Sequence, residues 1–224
     1  MVAAGAAQDP GVAVDSGMTI APILNEDRIF GIVPNYATVN DGATAPVIPL
    51  TKKQKWSLAL RESIDPFNVA SAAMGAGMSQ WGNETPRYGE GDRAFMKRFG
   101  AAMGDFTTQN LFSAGLLASA LHQDPRYYRM GPEKSVIKRV GYSVSRLVVA
   151  RQDSGASAFN ASNVFGTMMG IGVSNLYYPA ASKTWPVMGG RIFTSFTSGL
   201  MGNIISEFWP DLHRILNKHH VPLT

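Results

Sequence analysis

The chain has 224 residues, 45% hydrophobic and only 16% charged, with no cysteine and a formal net charge of +4. The lack of cysteine excludes disulfides, thiolate catalysis and Cys-ligated zinc or iron–sulfur centres. The basic residues are interspersed with acidic ones, so no phosphate-tracking face is legible and nucleic acid is not an expected partner.

Length and apolar content suit one domain with a core of its own. Residues 1–50 read as an extended, Pro-rich N-terminal arm, because Pro10, Pro22, Pro34, Pro46 and Pro49 leave no room for a helix. Its first residues, MVAAGAAQDPG, resemble the remainder of a signal region after processing, which predicts an exported protein. Within the arm, RIFGIVPNYATV at residues 28–39 carries enough apolar side chains to lie extended against a helical body.

Thr51 is placed to cap a short amphipathic helix, KKQKWSLALRESI, and Asp65-Pro66 supplies a cap and first-turn proline for the uncharged segment that follows. Residues 92–124 form the longest helical pattern, with Asp92 as its expected cap and Pro125 as its expected stop. From Ser135, Ile137, Val140, Val144, Leu147 and Val148 fall on one helix face. Lys134, Lys138, Arg139, Arg146 and Arg151 fall on the other, a basic face suited to anionic headgroups. Residues 154–182 carry no charge, and a helix over residues 157–178 would be about long enough to cross a bilayer. A last helix starts at Trp185-Pro186 and meets Pro210, which is expected to break or kink it. The fold class that results is mostly α: a bundle of five to six Gly/Ala-packed helices over residues 51–218, with a polar tail at 219–224.

Small residues recur four apart at Gly100 and Gly104, Gly166 and Gly170, and Ser195 and Gly199. That spacing puts each pair on one helix face, where a second backbone can approach closely, as membrane-embedded helices commonly do. Trp185 and Trp209, about 36 Å apart on a helix, match the two interfaces of a bilayer. Asn160, Asn163, Ser174, Asn175 and a mean hydropathy of −0.03 fit a soluble bundle instead, so the environment stays open at this point. In either medium Asp105 is a buried-charge candidate that needs a partner, and Arg98, on the same helix face, is the nearest.

The HQDPRYYR run gathers His122, Asp124, Arg126 and Arg129 around a proline turn, a set suited to an oxyanion or headgroup. The plainer alternative is that Asp124 caps the turn, the arginines pair with carboxylates and the tyrosines pack. Asp153, in an Asp-Ser-Gly turn, and His213, near Glu207 and Asp211, complete the candidates for one polar pocket. Neither Glu-x-x-His pairs nor His-Glu-x-x-His is present, and no Walker or Gly-x-Gly-x-x-Gly loop occurs, so neither metal nor cofactor is expected.

The runs RIFGIVPNY, PLTKKQKWSLALRESIDPF, HQDPRYYR, VSRLVVARQDSG, SNLYYPA and EFWPDLHR together resemble an uncharacterised family of bacterial cell-envelope proteins over residues 28–220. The resemblance implies export to the periplasm or outer membrane and assigns no activity. The leading expectation is a non-enzymatic bundle with a structural or assembly role, embedded in or bound to membrane lipid and able to form a homo-oligomer. The alternatives are an enzyme or small-molecule or lipid-binding protein with a pocket at His122, Asp124, Arg126, Asp153 and His213, and a soluble self-associating bundle.

Overall fold

A computed structural model of the chain describes residues 28–29, 31–40, 48–84 and 86–218. The processed-leader reading and the polar tail at 219–224 lie outside them. The described part of the arm is docked, not loose. β1 (Arg28–Ile29) pairs antiparallel with β2 (Val33–Pro34), and β3 (Thr38–Asn40) runs on to a distant partner described below. Arg28 Nη2 donates to Asp65 at 2.7 Å, which ties this hairpin to the first helical corner.

That corner forms as its caps dictate. In α1 (Lys52–Ser63) the Thr51 hydroxyl accepts from Gln54 N while the Gln54 side chain accepts from Thr51 N, a reciprocal capping box. In α2 (Pro66–Trp81) Asp65 accepts from Phe67 N, and Pro66 occupies the first turn, where its missing N–H costs nothing. α3 (Asp92–Asn110) starts differently from expectation. Gly91, at φ 86°, precedes it with no side-chain cap, and Asp92 sits inside the first turn, where its charge meets the positive end of the helix.

α3 continues into a π-helical segment, Leu111–Leu117, and closes in the single turn α4 (Ala118–Ala120). The helix therefore stops short of Pro125. His122 turns at φ 54°, and the chain becomes β4 (Gln123–Asp124) and β5 (Tyr127–Arg129). β5 is the parallel partner of β3. α5 (Val136–Ser145) likewise ends before the basic run is complete, and β6 (Val149–Gln152) folds back on β7 (Ser157–Phe159), giving the antiparallel order β4-β6-β7. α6 (Ala161–Ser174) is therefore only 14 residues, about 21 Å, where the uncharged stretch suggested a bilayer-length helix. After the 3-10 turn Ala180–Ser182, α7 (Trp185–Lys218) continues unbroken past Pro210. The architecture is mostly α, and among the described residues no helix is long and apolar enough to cross a membrane.

The expected small-residue pairs behave unequally. A Cβ at Gly166 would stand 2.5 Å from Ser113 Cα, and one at Gly170 would stand 2.8 Å from Gln109 Cα, so α6 meets the long helix backbone to backbone. A Cβ at Gly104 would meet only the Tyr177 ring, one at Gly199 only Leu147 Cδ2 at 3.7 Å, and one at Gly100 nothing within 4 Å. Ser195 is half-buried on α7.

The orientation of α5 reverses the expected one. Arg139 and Ser143 point inward and are buried, while Val136, Ile137, Val140 and Val144 are exposed, Ile137 at 85%. Two faces were legible in the sequence, but not which of them would be inside. Glu207 decides it: this α7 carboxylate is 0% exposed, and a buried carboxylate requires a cation. Arg139 Nε supplies one at 2.9 Å, with Nη1 on Asp211 at 2.5 Å.

Candidate functional site

Three polar clusters and one cavity hold the chemistry-bearing side chains. The first is built on β4, β5 and α7. Asp124 accepts from Arg126 N at 3.0 Å, from Arg126 Nε at 3.0 Å and Nη2 at 2.6 Å, and from Tyr128 Oη at 2.7 Å. Burial pushes this carboxyl up, but the hydrogen bonds and charge of Arg126 outweigh it and hold it below its ordinary value. Arg126 and Asp124 thus neutralise each other, as the plainer reading of the HQDPRYYR run had it.

Arg129 lies elsewhere in the same cluster. Its Nη2 donates to Asn35 Oδ1 at 2.8 Å, and its Nε donates to Ser206 O. The second contact follows from Pro210, which has no N–H to return to the carbonyl four residues earlier in the helix. Arg129 fills the vacancy, which lets α7 continue through its proline. Glu207 completes the cluster by accepting from Tyr127 Oη at 2.9 Å, Met130 N at 2.9 Å and Gly131 N at 3.2 Å.

The second cluster corrects the expected pairing of Asp105 with Arg98. Asp105 accepts from Tyr177 Oη and Tyr178 Oη, both at 2.6 Å, and pairs with Arg191 at 3.3 Å. Arg98 instead reaches Gly89 O at 2.8 Å, Asn83 Oδ1 at 3.2 Å and Ser79 Oγ at 3.2 Å. Two helical turns, about 10 Å of rise, separate the two residues, and each satisfies itself across a different neighbouring element. Burial, with the Asp105 charge, raises both tyrosine pKa values.

In the third cluster Lys55, itself buried, donates to both Asp153 oxygens at 2.7 Å and to Ala118 O at 3.2 Å. His122 Nδ1 stands 3.8 Å from Asp153 Oδ2, with its side chain 71% exposed. His213 is exposed on α7, its ring 5.4 Å from that of Trp209. The five residues proposed for one pocket therefore do not converge. Asp124 and Arg126 form one pair, Asp153 and His122 belong to another place, and His213 stands apart from both. Among the described residues no three His, Asp or Glu side chains stand together as a metal site needs.

What the structure does contain is a cavity of about 190 Å³ lined by Glu62 of α1, Asn110 at the end of α3, Ser113 of the π-helical segment, Arg146 after α5, and Asn160 and Asn163 at the start of α6. Asp124 and Arg126 lie on its wall as a neutral pair. Glu62 is the carboxyl on this wall that is displaced upward. It is partly buried on the cavity wall, and desolvation pushes its carboxyl up to about 7, with the nearby Asp65 charge adding to the rise. Asn110 draws that value down, yet its Nδ2 is buried with no acceptor at bonding geometry, so the amide is close to Glu62 without being aligned on it. In sequence Asn110 is one polar residue of a long helical pattern and Glu62 one of several charges on an amphipathic segment, and neither carries a motif.

Comparison with protein-family models, curated proteins and solved structures finds no match.

Proposed function

We propose that this chain is a non-enzymatic, structural protein of the bacterial cell envelope, a helical bundle whose outer face is covered by membrane lipid. The observation that carries this reading is an inverted distribution of side chains. Lys55, Arg98, Arg126, Arg129, Arg139, Asp124 and Glu207 are buried, while Trp81 at 94%, Leu176 at 85% and Trp185 at 83% are exposed. In water, burying such an apolar side chain contributes about 1.5–3 kcal/mol, so leaving many outside while burying charges is unfavourable unless the surroundings are apolar.

The exposed apolar side chains are spread over α1, α2, α3, α5, α6 and α7. A protein partner covers one patch, whereas lipid covers every face presented to it. The interior ion pairs suit the same surroundings, because charged groups at membrane depth turn inward and pair. Contact through α5 then uses Val136, Ile137, Val140 and Val144, in place of the basic face that the sequence suggested. Lys134 and Lys138 remain exposed at that helix and suit its rim. With no crossing helix among the described residues, the bundle is read as seated in one membrane interface.

Fractionation tests this reading. The full chain is expected in the membrane fraction, resistant to high salt and released by mild detergent. A monodisperse monomer in the detergent-free supernatant would reject it. A discrete detergent-free oligomer would transfer the apolar faces to self-association.

A further inference from the structure

The cavity is lined by two ionisable side chains of opposite sign, Glu62 and Arg146, that pair with no carboxylate or cation among the described residues. Among the described residues Glu62 has no cation within salt-bridge distance, and the only hydrogen-bonding neighbour of its carboxyl is the misaligned Asn110 amide. Arg146 stacks over the Tyr142 ring at 4.6 Å and makes a long contact of 3.4 Å to Ser145 Oγ, and among the described residues no carboxylate pairs with it. Both side chains line the same space without forming an ion pair with each other. Elsewhere in this molecule buried charges are closely matched, as in Lys55–Asp153, Arg126–Asp124 and Arg139–Glu207. Arg98, buried without a carboxylate among its described partners, is instead held by Gly89 O, Glu84 O, Asn83 Oδ1 and Ser79 Oγ, a set of polar partners that neither Glu62 nor Arg146 has among the described residues.

We propose that the cavity binds a small zwitterion of the amino-acid class, its ammonium group on Glu62 and its carboxylate on Arg146. Two charges of opposite sign on one ligand are the complement of two unmatched charges on the walls, and a partly desolvated, unpaired charge is the costly state that such a ligand relieves. Size agrees. A dry cavity of about 150 Å³ holds benzene, so about 190 Å³ admits a molecule of roughly six to eight non-hydrogen atoms. The α6 N-terminus, with Asn160 and Asn163 on the wall, favours the carboxylate end. The π-helical segment that carries Ser113 into the wall is a form of helix found often at functional sites.

The arrangement dictates a pH dependence. The charged and titratable groups facing Glu62 are Asp65 of its own corner, Tyr36 from the docked arm, Asp124 and Arg126 as a neutral pair, Tyr127 and Tyr128 of β5, and Arg146 and Arg151 across the cavity. Asp65 is ionised and paired with Arg28, Arg61 stacks over Tyr36, and the tyrosines stay neutral because burial raises them. Glu62 is thus the one group in this set that changes charge near neutrality.

The test is calorimetric titration of the full-length protein in mild detergent. The probes are glycine, β-alanine and γ-aminobutyrate, which differ in the spacing of their charged ends, with butyrate and butylamine as single-charge controls. At least one amino acid is expected to bind at least tenfold more tightly than both controls. Its affinity should rise about tenfold from pH 6 to pH 8 as Glu62 ionises. E62Q and R146Q should each lower it at least tenfold, R146K less, with no fall in melting temperature for E62Q, which removes a part-buried charge. Butyrate binding as tightly as the amino acids, or affinity that falls with rising pH, would make this an anion site and overturn the proposal. So would unchanged affinity in both E62Q and R146Q, or dissociation constants above about 10 mM for every amino acid. None of these readouts depends on whether the chain fractionates with membranes, so failure here and failure of the lipid reading are separable.

Discussion

At the seam between α6 and the long helix, Gly166 and Gly170 let two backbones touch; at the junction of α5, β5 and α7, the Glu207 carboxylate gathers donors from three directions. The first contact is made of absent side chains and dispersion, and it is insensitive to the dielectric around it. The second is made of charge, and its strength rises as water is excluded. With many large apolar side chains outside, the buried apolar core around Tyr36, Leu50 and Leu58 is small, and these two devices supplement it.

Breaking the second device should have the largest effect. Glu207→Ala leaves Arg139 Nε, Tyr127 Oη and two backbone N–H groups without their acceptor, and a loss of about 3–5 kcal/mol is expected in denaturant unfolding. Glu62 sharpens the contrast because it sits part-buried with neither device. Its pKa is raised from 4.5 to about 7, so the folded state binds the proton more tightly than the unfolded chain. That contribution is complete below pH 4.5 and is lost as pH rises toward 7, an expected decline of up to about 3 kcal/mol in stability that E62Q should abolish. Asp124 and Asp65, both lowered, act in the opposite sense and in a lower window, withdrawing stability as pH falls below their ordinary value of 3.8.

At the glycine seam, Gly166→Ala drives a methyl into the Ser113 backbone and should cost about 1–3 kcal/mol by thermal or chemical unfolding. Gly100→Ala meets open space on the same long helix and should instead stabilise by about 0.5–1 kcal/mol. The smallest stability effect, within about 0.5 kcal/mol, is expected for Ile137→Lys on the exposed face of α5. The lipid reading nevertheless has this variant float less with phosphatidylethanolamine and phosphatidylglycerol vesicles. Unchanged flotation would remove α5 from the contact.

The features read most directly from sequence were those fixed by neighbours in the chain. Thr51 and Asp65-Pro66 cap their helices through bonds that span two or three residues. The mostly α class followed from long periodic segments. The strands β4, β6 and β7 were missed because two to four residues carry no period to detect. The face of α5 was misassigned for a different reason. Periodicity separates two faces, while the choice of the inner one belongs to Glu207, which lies 68 residues from Arg139 in sequence. Asp105 was singled out as needing a partner, and Tyr177, Tyr178 and Arg191 reach it from the far side of a turn that local spacing does not specify. Glu62 was invisible, because its distinction is an environment and not a motif.

β5 has a consequence for the order of events during synthesis. Its parallel neighbour β3 is made about 90 residues earlier, and Glu207, which accepts from Tyr127 and Met130 at its edge, is made about 80 residues later. At the usual 5–20 residues per second, β3 waits on the order of 5–20 s for its partner and β5 about as long again for its carboxylate. Until Glu207 emerges, Arg139 has been made without the residue that turns it inward, and the apolar face of α5 is free to collapse the wrong way. The last quarter of the chain therefore decides the sidedness of a helix already made, and a nascent chain stalled before Glu207 would carry that helix unassigned.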